Sequence, residues 1–213
     1  MSFRLLIMAK VPIPGTVKTR LRLQPEDAAR LQAALIRDTA HKAHALAATT
    51  VAGAPPDRLH LIRNLLPDDV LLIPQSEGDL GERMLAGART LFADAPDPVL
   101  ILGTDAPTLP PEAIGTAANS LDTHDISIIP SEDGGYVLLG LRKPHGAVFS
   151  GIEWSTAAVY EQTLRRAEEA ALSVYEGDPW RDVDEPGDLA RLRKDLDACP
   201  ELAPRTAEVL RLL

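Results

Sequence analysis

Short apolar runs, most of them bounded by glycine or proline, alternate along this chain with segments of helical spacing. Phe3 to Met8, Val70 to Ile73 and Val99 to Leu102 are such runs, and Thr49 to Ala52 is a further short strand ended by Gly53-Ala54-Pro55-Pro56. The three runs lack the polar alternation of a half-exposed strand, so they read as strands covered on both faces. Between them, Pro25 to Ala47 carries helical spacing with Pro25 in its first turn. Leu80 to Ala93 follows an Asp79/Glu82 capping box, and Pro110 to Leu121 is another helix. Strand and helix in alternation predict a mostly parallel sheet in a three-layer α/β/α sandwich. Further on, Ile126 to Ile129 and Tyr136 to Leu141 flank the turn Glu132-Asp133-Gly134-Gly135, which makes the sheet mixed. A helix from Ser155 to Ala170 with Ser155 as N-cap, a strand at Ser173 to Tyr175, and helices at Pro186 to Leu196 and Pro204 to Leu213 complete the order. No repeat or linker divides the 213 residues, so 1–213 reads as one domain.

Charge is distributed unevenly over this frame. The first acidic residue is Glu26, and Arg4, Lys10, Lys18, Arg20 and Arg22 precede it in a chain of net charge -9. The stretch Lys10-Val11-Pro12-Ile13-Pro14-Gly15-Thr16-Val17-Lys18-Thr19-Arg20 is therefore a cationic loop leaving the first strand. Free backbone N–H groups and cations in such a loop suit a polyphosphate. An acidic body with one cationic loop argues against nucleic acid and for a small anionic ligand. The P-loop pattern fails, because Val17 and Pro12 stand where it needs glycine. No G-x-G-x-x-G opens a helix, which argues against a nicotinamide or flavin site. No apolar run spans a bilayer, the N-terminal run is too short for a signal peptide, and Cys199 is the only cysteine. The expectation is a cytoplasmic protein without a disulfide.

Acidic residues supply the candidate chemistry. Leu102-Gly103-Thr104-Asp105-Ala106-Pro107 puts Asp105 just past the carboxyl end of a buried strand, where open α/β sheets bind ligands. Asp105 is either a hard oxygen ligand for Mg²⁺ or Mn²⁺ or an Asx-turn carboxylate. Asp182-Val183-Asp184-Glu185 offers a second such group, or a cap for the helix starting near Pro186. Glu132-Asp133-Gly134-Gly135 is a hairpin turn, or two carboxylates beside a bare backbone that a substrate approaches. Trp154-Ser155-Thr156 opens a helix over a core tryptophan, or binds an anion or sugar hydroxyl. His41 and His44 find no third ligand and read as a solvated helix face.

Taken together, these segments resemble the nucleotide-diphospho-sugar transferase superfamily of Rossmann-like GT-A fold. The pattern of its small bacterial arsenosugar-biosynthesis-type glycosyltransferases is matched by Lys10 to Gly15, Val17 to Leu21, Gly78 to Met84, Leu102 to Pro107, Asp133 to Tyr136 with Leu139 to Leu141, Trp154 to Thr156 and Asp182 to Asp184. Lys18-Thr19-Arg20-Leu21 is similar, more distantly, to 2-phospholactate guanylyltransferase, and the Asp105/Asp184 pair to the metal carboxylates of CMP-Kdo synthetase. The chain departs from the family at Ala106, Thr108 and Val137, and at Glu185-Pro186-Gly187, which alters the helix start behind Asp184.

The resemblance implies Asp105 and Asp184 as ligands of Mg²⁺ or Mn²⁺, and Lys18 and Arg20 as neutralisers of the leaving group. It implies a nucleotide site at Ala9, Lys10, Lys18, Arg20, Gln75, Gly81 and Thr104. Glu132, Asp133, Gly134, Gly135, Trp154, Ser155 and Thr156 would take the acceptor, with Asp133 catalytic. The partners are then a nucleotide or nucleotide-sugar donor and a small-molecule acceptor. Glycosyl transfer is the first reading. The second is a nucleotidyltransferase that joins an NTP to a phosphorylated acceptor and releases pyrophosphate, and the third a non-catalytic nucleotide-binding module.

Overall fold

A computed structural model describes residues 2–213. Its centre is one seven-stranded sheet made of β1 (Arg4–Lys10), β2 (Ala48–Ala54), β3 (Leu71–Pro74), β4 (Val99–Leu102), β5 (Ile126–Pro130), β6 (Tyr136–Leu141) and β7 (Val174–Glu176). The order across the sheet is β3-β2-β1-β4-β6-β5-β7. Only β6 runs against its neighbours β4 and β5; the other pairings are parallel. The mixed three-layer α/β arrangement expected from the alternating runs is the one observed.

Both faces of the sheet are covered, as the unbroken apolar strands require. Leu5 and Ile7 of β1 join one core with Ile36, Leu100 and Leu121, while Leu6 joins the other with Met84, Ile101 and Phe149. The first layer is supplied by α1 (Pro25–His44), α2 (His60–Arg63) and α4 (Pro111–Ser120), the second by α3 (Leu80–Asp94) and α5 (Val159–Glu169). The capping box of α3 is present as read, with Asp79 accepting from Glu82 N–H at 2.8 Å and Glu82 accepting from Asp79 N–H at 2.8 Å.

The sheet turns on β1. The chain passes from β1 outward to β2 and β3, then returns to β4 on the other side of β1. Such a reversal opens a crevice at the carboxyl ends of the two strands. Lys10 ends β1 and Leu102 ends β4, so the cationic loop and the Asp105 loop leave the sheet side by side.

A third, smaller core brings in the chain's far end. α6 (Pro186–Ala198) and α7 (Pro204–Leu210) fold back on α1 and bury Leu21 and Val183 together with Leu31 and Leu35. Asp38, buried on α1, accepts from Thr206 N–H and O–H at 2.7 Å each and from Arg205 N–H at 3.1 Å. Leu21 lies three residues past Lys18 and Val183 directly before Asp184. Their shared core therefore carries two polar side chains to one place.

One sequence expectation is corrected. The helix expected from Ser155 begins at Val159, and Ser155 has φ 65°, so it is not an N-cap. Residues 154 to 158 form turns instead, because this segment packs on the β5–β6 hairpin: Tyr160 N–H donates to Gly134 O at 2.9 Å.

Candidate active site at the switch point

The crevice is a cleft of about 1070 Å³ at the carboxyl ends of β1 and β4. On its floor Lys18 Nζ lies 2.9 Å from Asp105 Oδ1 and 3.1 Å from Asp184 Oδ1, and donates to Val183 O at 2.5 Å. The Lys18 side chain is only 4% exposed, while each aspartate side chain is 40% exposed. Burial by itself would lower the Lys18 pKa; the charges of Asp105 and Asp184 and their hydrogen bonds outweigh it and raise the pKa above the ordinary lysine value. Lys18 holds φ 51°, the left-handed region that costs a side-chain-bearing residue energy. The cationic loop thus pays a backbone cost to send its ammonium inward between two carboxylates.

The Asp105 carboxylate and the Asp184 backbone are each fixed from behind. Thr104 Oγ1 donates to Asp105 Oδ1 at 3.1 Å and accepts from Gln32 Nε2 at 3.2 Å. Asp184 N–H donates to Asp188, which also accepts from Glu185 N–H at 2.7 Å. The helix-cap reading of this segment holds for Glu185, the N-cap of α6, and leaves Asp184 to the cleft. The loop after Asp105 is clamped by Lys42 of α1, whose Nζ donates to Pro107 O and Leu109 O at 2.5 and 2.9 Å. Trp180 Nε1–H donates to Thr108 Oγ1 at 3.2 Å and ties that loop to the segment carrying Asp184.

The cleft walls differ in charge. Lys10, Lys18, Arg20 and Arg83 line the β1 side. Gln75, from the end of β3, donates to Ala9 O and Ala52 O at 3.2 and 2.9 Å and accepts from Arg83 at 3.1 Å. Opposite lie Glu132, Asp133, Asp182, Glu185 and Asp188, with Arg181 and Arg191. Glu132 pairs with Arg181 at 3.7 Å and Arg191 at 3.4 Å, and Arg191 also pairs with Asp188. Asp133 Oδ1 accepts from Gly135 N–H at 2.9 Å. Burial and then the charge of Asp133 push the Asp182 carboxyl up to about 6, against a hydrogen bond from Ser131 at 2.9 Å.

Most residues named from the sequence line this cleft: Ala9, Lys10, Lys18, Arg20, Gln75, Thr104, Asp105 and Asp184 on the donor and metal side, Glu132, Asp133, Gly135, Trp154, Ser155 and Thr156 on the other. Two are placed elsewhere. Gly134 is backed directly by the Ala157 carbonyl, so its backbone is not open to a substrate. Gly81 lies under the Trp154 ring; a Cβ there would come within 2.5 Å of Trp154 Cζ2 and 3.0 Å of Phe149 O. Gly81→Ala is expected to displace Trp154 and cost about 1–3 kcal/mol by overpacking. Calorimetry should show the lower melting temperature, and tryptophan fluorescence the moved ring.

Gln32 and Arg83 were not found from the sequence. For Gln32 a signal existed: it sits on the buried stripe of α1, between Ala28 and Ile36, where an apolar residue is the rule. Among the described residues no group of three or more His, Cys, Asp or Glu side chains is disposed to hold a metal. No helix there is long and apolar enough to cross a membrane.

The chain has relatives of known structure. A protein of Desulfovibrio desulfuricans G20, provisionally described as a nucleotide-diphospho-sugar transferase, is 33% identical over 99% of this chain and 95% of its own, with a TM-score of 0.90. CMP:2-keto-3-deoxy-manno-octonic acid synthetase, in complex with CTP, shares the fold at 11% identity and a TM-score of 0.61, covering 93% of this chain and 99% of its own. So does 4-diphosphocytidyl-2C-methyl-D-erythritol synthase, at 15% identity and 0.60, covering 92% and 99%. A family model described as an uncharacterized protein conserved in bacteria (DUF2064) matches residues 35–156. No curated protein matches the chain.

Proposed function

This chain belongs to the DUF2064 family of bacterial proteins, and we propose that it is a metal-dependent glycosyltransferase acting on a nucleotide-diphospho-sugar. The observation that carries this reading is the Asp105–Lys18–Asp184 cluster at the strand reversal, 2.9 and 3.1 Å from carboxylate to ammonium. Two carboxylates from distant segments already converge on one cation. Their hard oxygens, each on a 40% exposed side chain, are a fitting donor set for Mg²⁺ or Mn²⁺. Such ions take one or two carboxylates and complete their shell with phosphate and water. When bound, the ion would supply charge stabilisation to the diphosphate.

The chain's own residues do the rest. Arg20 on the β1 wall faces the nucleoside diphosphate and neutralises charge that grows as it leaves, while Lys18, its three donors taken by Asp105, Asp184 and Val183 O, acts through the two carboxylates it sets in place. Lys10 and Arg83 extend the same cationic wall, and Gln75, fixed to Ala9 and Ala52, shapes its end. On the other wall Glu132 is engaged by two arginines, which leaves Asp133 as the carboxylate to orient the acceptor or take its proton. The Desulfovibrio relative, described as a transferase of this kind, supports the donor class.

The charge of the acceptor wall favours glycosyl over nucleotidyl transfer. Five acidic side chains face the cleft there against Arg181 and Arg191, and both arginines are paired within the protein. The net negative charge there would repel a phosphorylated acceptor and not a neutral hydroxyl compound. Incubation with nucleotide-sugars or with NTPs, each with Mg²⁺ or Mn²⁺ and a mixture of phosphorylated and unphosphorylated small molecules, tests this. Nucleoside diphosphate released from a nucleotide-sugar is the expected product. Pyrophosphate released from an NTP only when a phosphorylated acceptor is present would overturn it.

A further inference from the structure

Gln32 is 3% exposed, yet it lines the cleft between the ends of β1 and β4. Its Nε2 donates to Lys10 O at 3.3 Å and to Thr104 Oγ1 at 3.2 Å. A carbonyl only accepts, so the nitrogen must face Lys10 and the amide cannot be flipped. At the other end Thr104 gives its own proton to Asp105 Oδ1. The carbonyl and the carboxylate thus fix the direction of every proton in this chain of bonds. Gln32 Oε1 is left over. No described residue donates to it, and it is not among the fully enclosed side-chain atoms that lack a partner, so it reaches the cleft surface.

Resting on the nucleotide reading of the cleft, we infer that Gln32 is a specificity-determining residue whose Oε1 accepts a hydrogen bond from the bound nucleotide. The partner is an N–H or O–H donor: a ribose hydroxyl or a base N–H. A phosphate oxygen is excluded, because both atoms would be acceptors. Fixing the amide nitrogen has a consequence for selectivity. It prevents the side chain from rotating to offer a donor instead, so ligands lacking the matching hydrogen leave a nearly buried oxygen unpaired. The same nitrogen couples the reader to Asp105 through Thr104, joining nucleotide recognition to the cation cluster.

Calorimetric binding of ADP, CDP, GDP and UDP with Mn²⁺ identifies the preferred nucleotide. Its analogues lacking the 2′ hydroxyl, the 3′ hydroxyl or a base N–H donor are then compared on wild type and Gln32→Met. One analogue is expected to bind wild type about 3- to 10-fold more weakly, as befits one lost hydrogen bond. Gln32→Met should lose a similar factor for the intact nucleotide and no longer distinguish it from that analogue. A merely structural Gln32 would leave the discrimination unchanged. Equal binding of every analogue by wild type overturns the inference, and needs no variant to fold. Failure of all four nucleotides to bind overturns the donor reading of the cleft first, and this assignment with it.

Discussion

Lys18→Met is expected to lower the melting temperature by roughly 4–8 °C, from a loss of about 2 kcal/mol. Methionine follows the lysine side chain as far as Cε and keeps its Cβ, so the cost of the left-handed backbone at φ 51° is the same in both proteins. What changes is the ammonium. Asp105 and Asp184 face it at 2.9 and 3.1 Å, and without it they face each other. Breaking a fully buried pair costs about 3–5 kcal/mol. The aspartates are 40% exposed and keep part of their hydration, which reduces the figure. Millimolar Mg²⁺ should return part of the lost stability, since it offers the same two carboxylates another cation. Turnover should stay about 10²-fold down even then, because the ion does not replace the ammonium that sets the two carboxylates and the Val183 carbonyl in place. Scanning calorimetry in chelator and in Mg²⁺ reads the first two effects; a melting temperature equal to wild type in chelator would show that the cluster does not hold the loops together.

The second large effect is expected from the carboxylates themselves. Asp105→Asn and Asp184→Asn each preserve shape and remove one charge. Either should lower metal-dependent turnover about 10²- to 10³-fold. The fold should survive both changes, because the network behind each residue does not need the charge. Thr104 can donate to an amide oxygen as it does to Asp105 Oδ1, and Asp188 holds the backbone N–H of residue 184, not its side chain. In the double variant Lys18 loses both counter-charges at only 4% exposure, and a lower lysine pKa follows from burial unopposed.

How much of this was legible in the chain differs between elements and contacts. Val99–Leu102 and Tyr136–Leu141 were read to the residue, because a short apolar run between turn residues has few other uses. The capping box at Asp79 was equally plain, being local. Ser155 misled for the opposite reason. Its sequence looks like an N-cap, but Gly134 accepts from Tyr160 N–H and Ala157 presses on the same glycine, so tertiary packing sets where α5 begins. The site was legible as residue types at strand ends. Its geometry was not: Lys18 and Asp184 are 166 residues apart, joined through a core of Leu21, Val183 and α1 that no local pattern announces. Family resemblance named the two aspartates together, while the ammonium between them, and the Gln32–Thr104 support behind Asp105, emerged only with the fold.

In the proposed function Asp105, Lys18 and Asp184 form one cation-organising centre for a nucleoside diphosphate. The most direct test of this centre is the thermal shift given by a saturating nucleoside diphosphate with and without Mn²⁺, in wild type and in the Asp105→Asn/Asp184→Asn double variant. At a hundredfold excess over Kd, wild type should gain about 2.7 kcal/mol, or roughly 5–11 °C, with Mn²⁺ present, and much less without it. The double variant should gain little in either condition. A wild-type shift indifferent to Mn²⁺, or a double variant that responds as wild type does, would show that the three residues form no such centre.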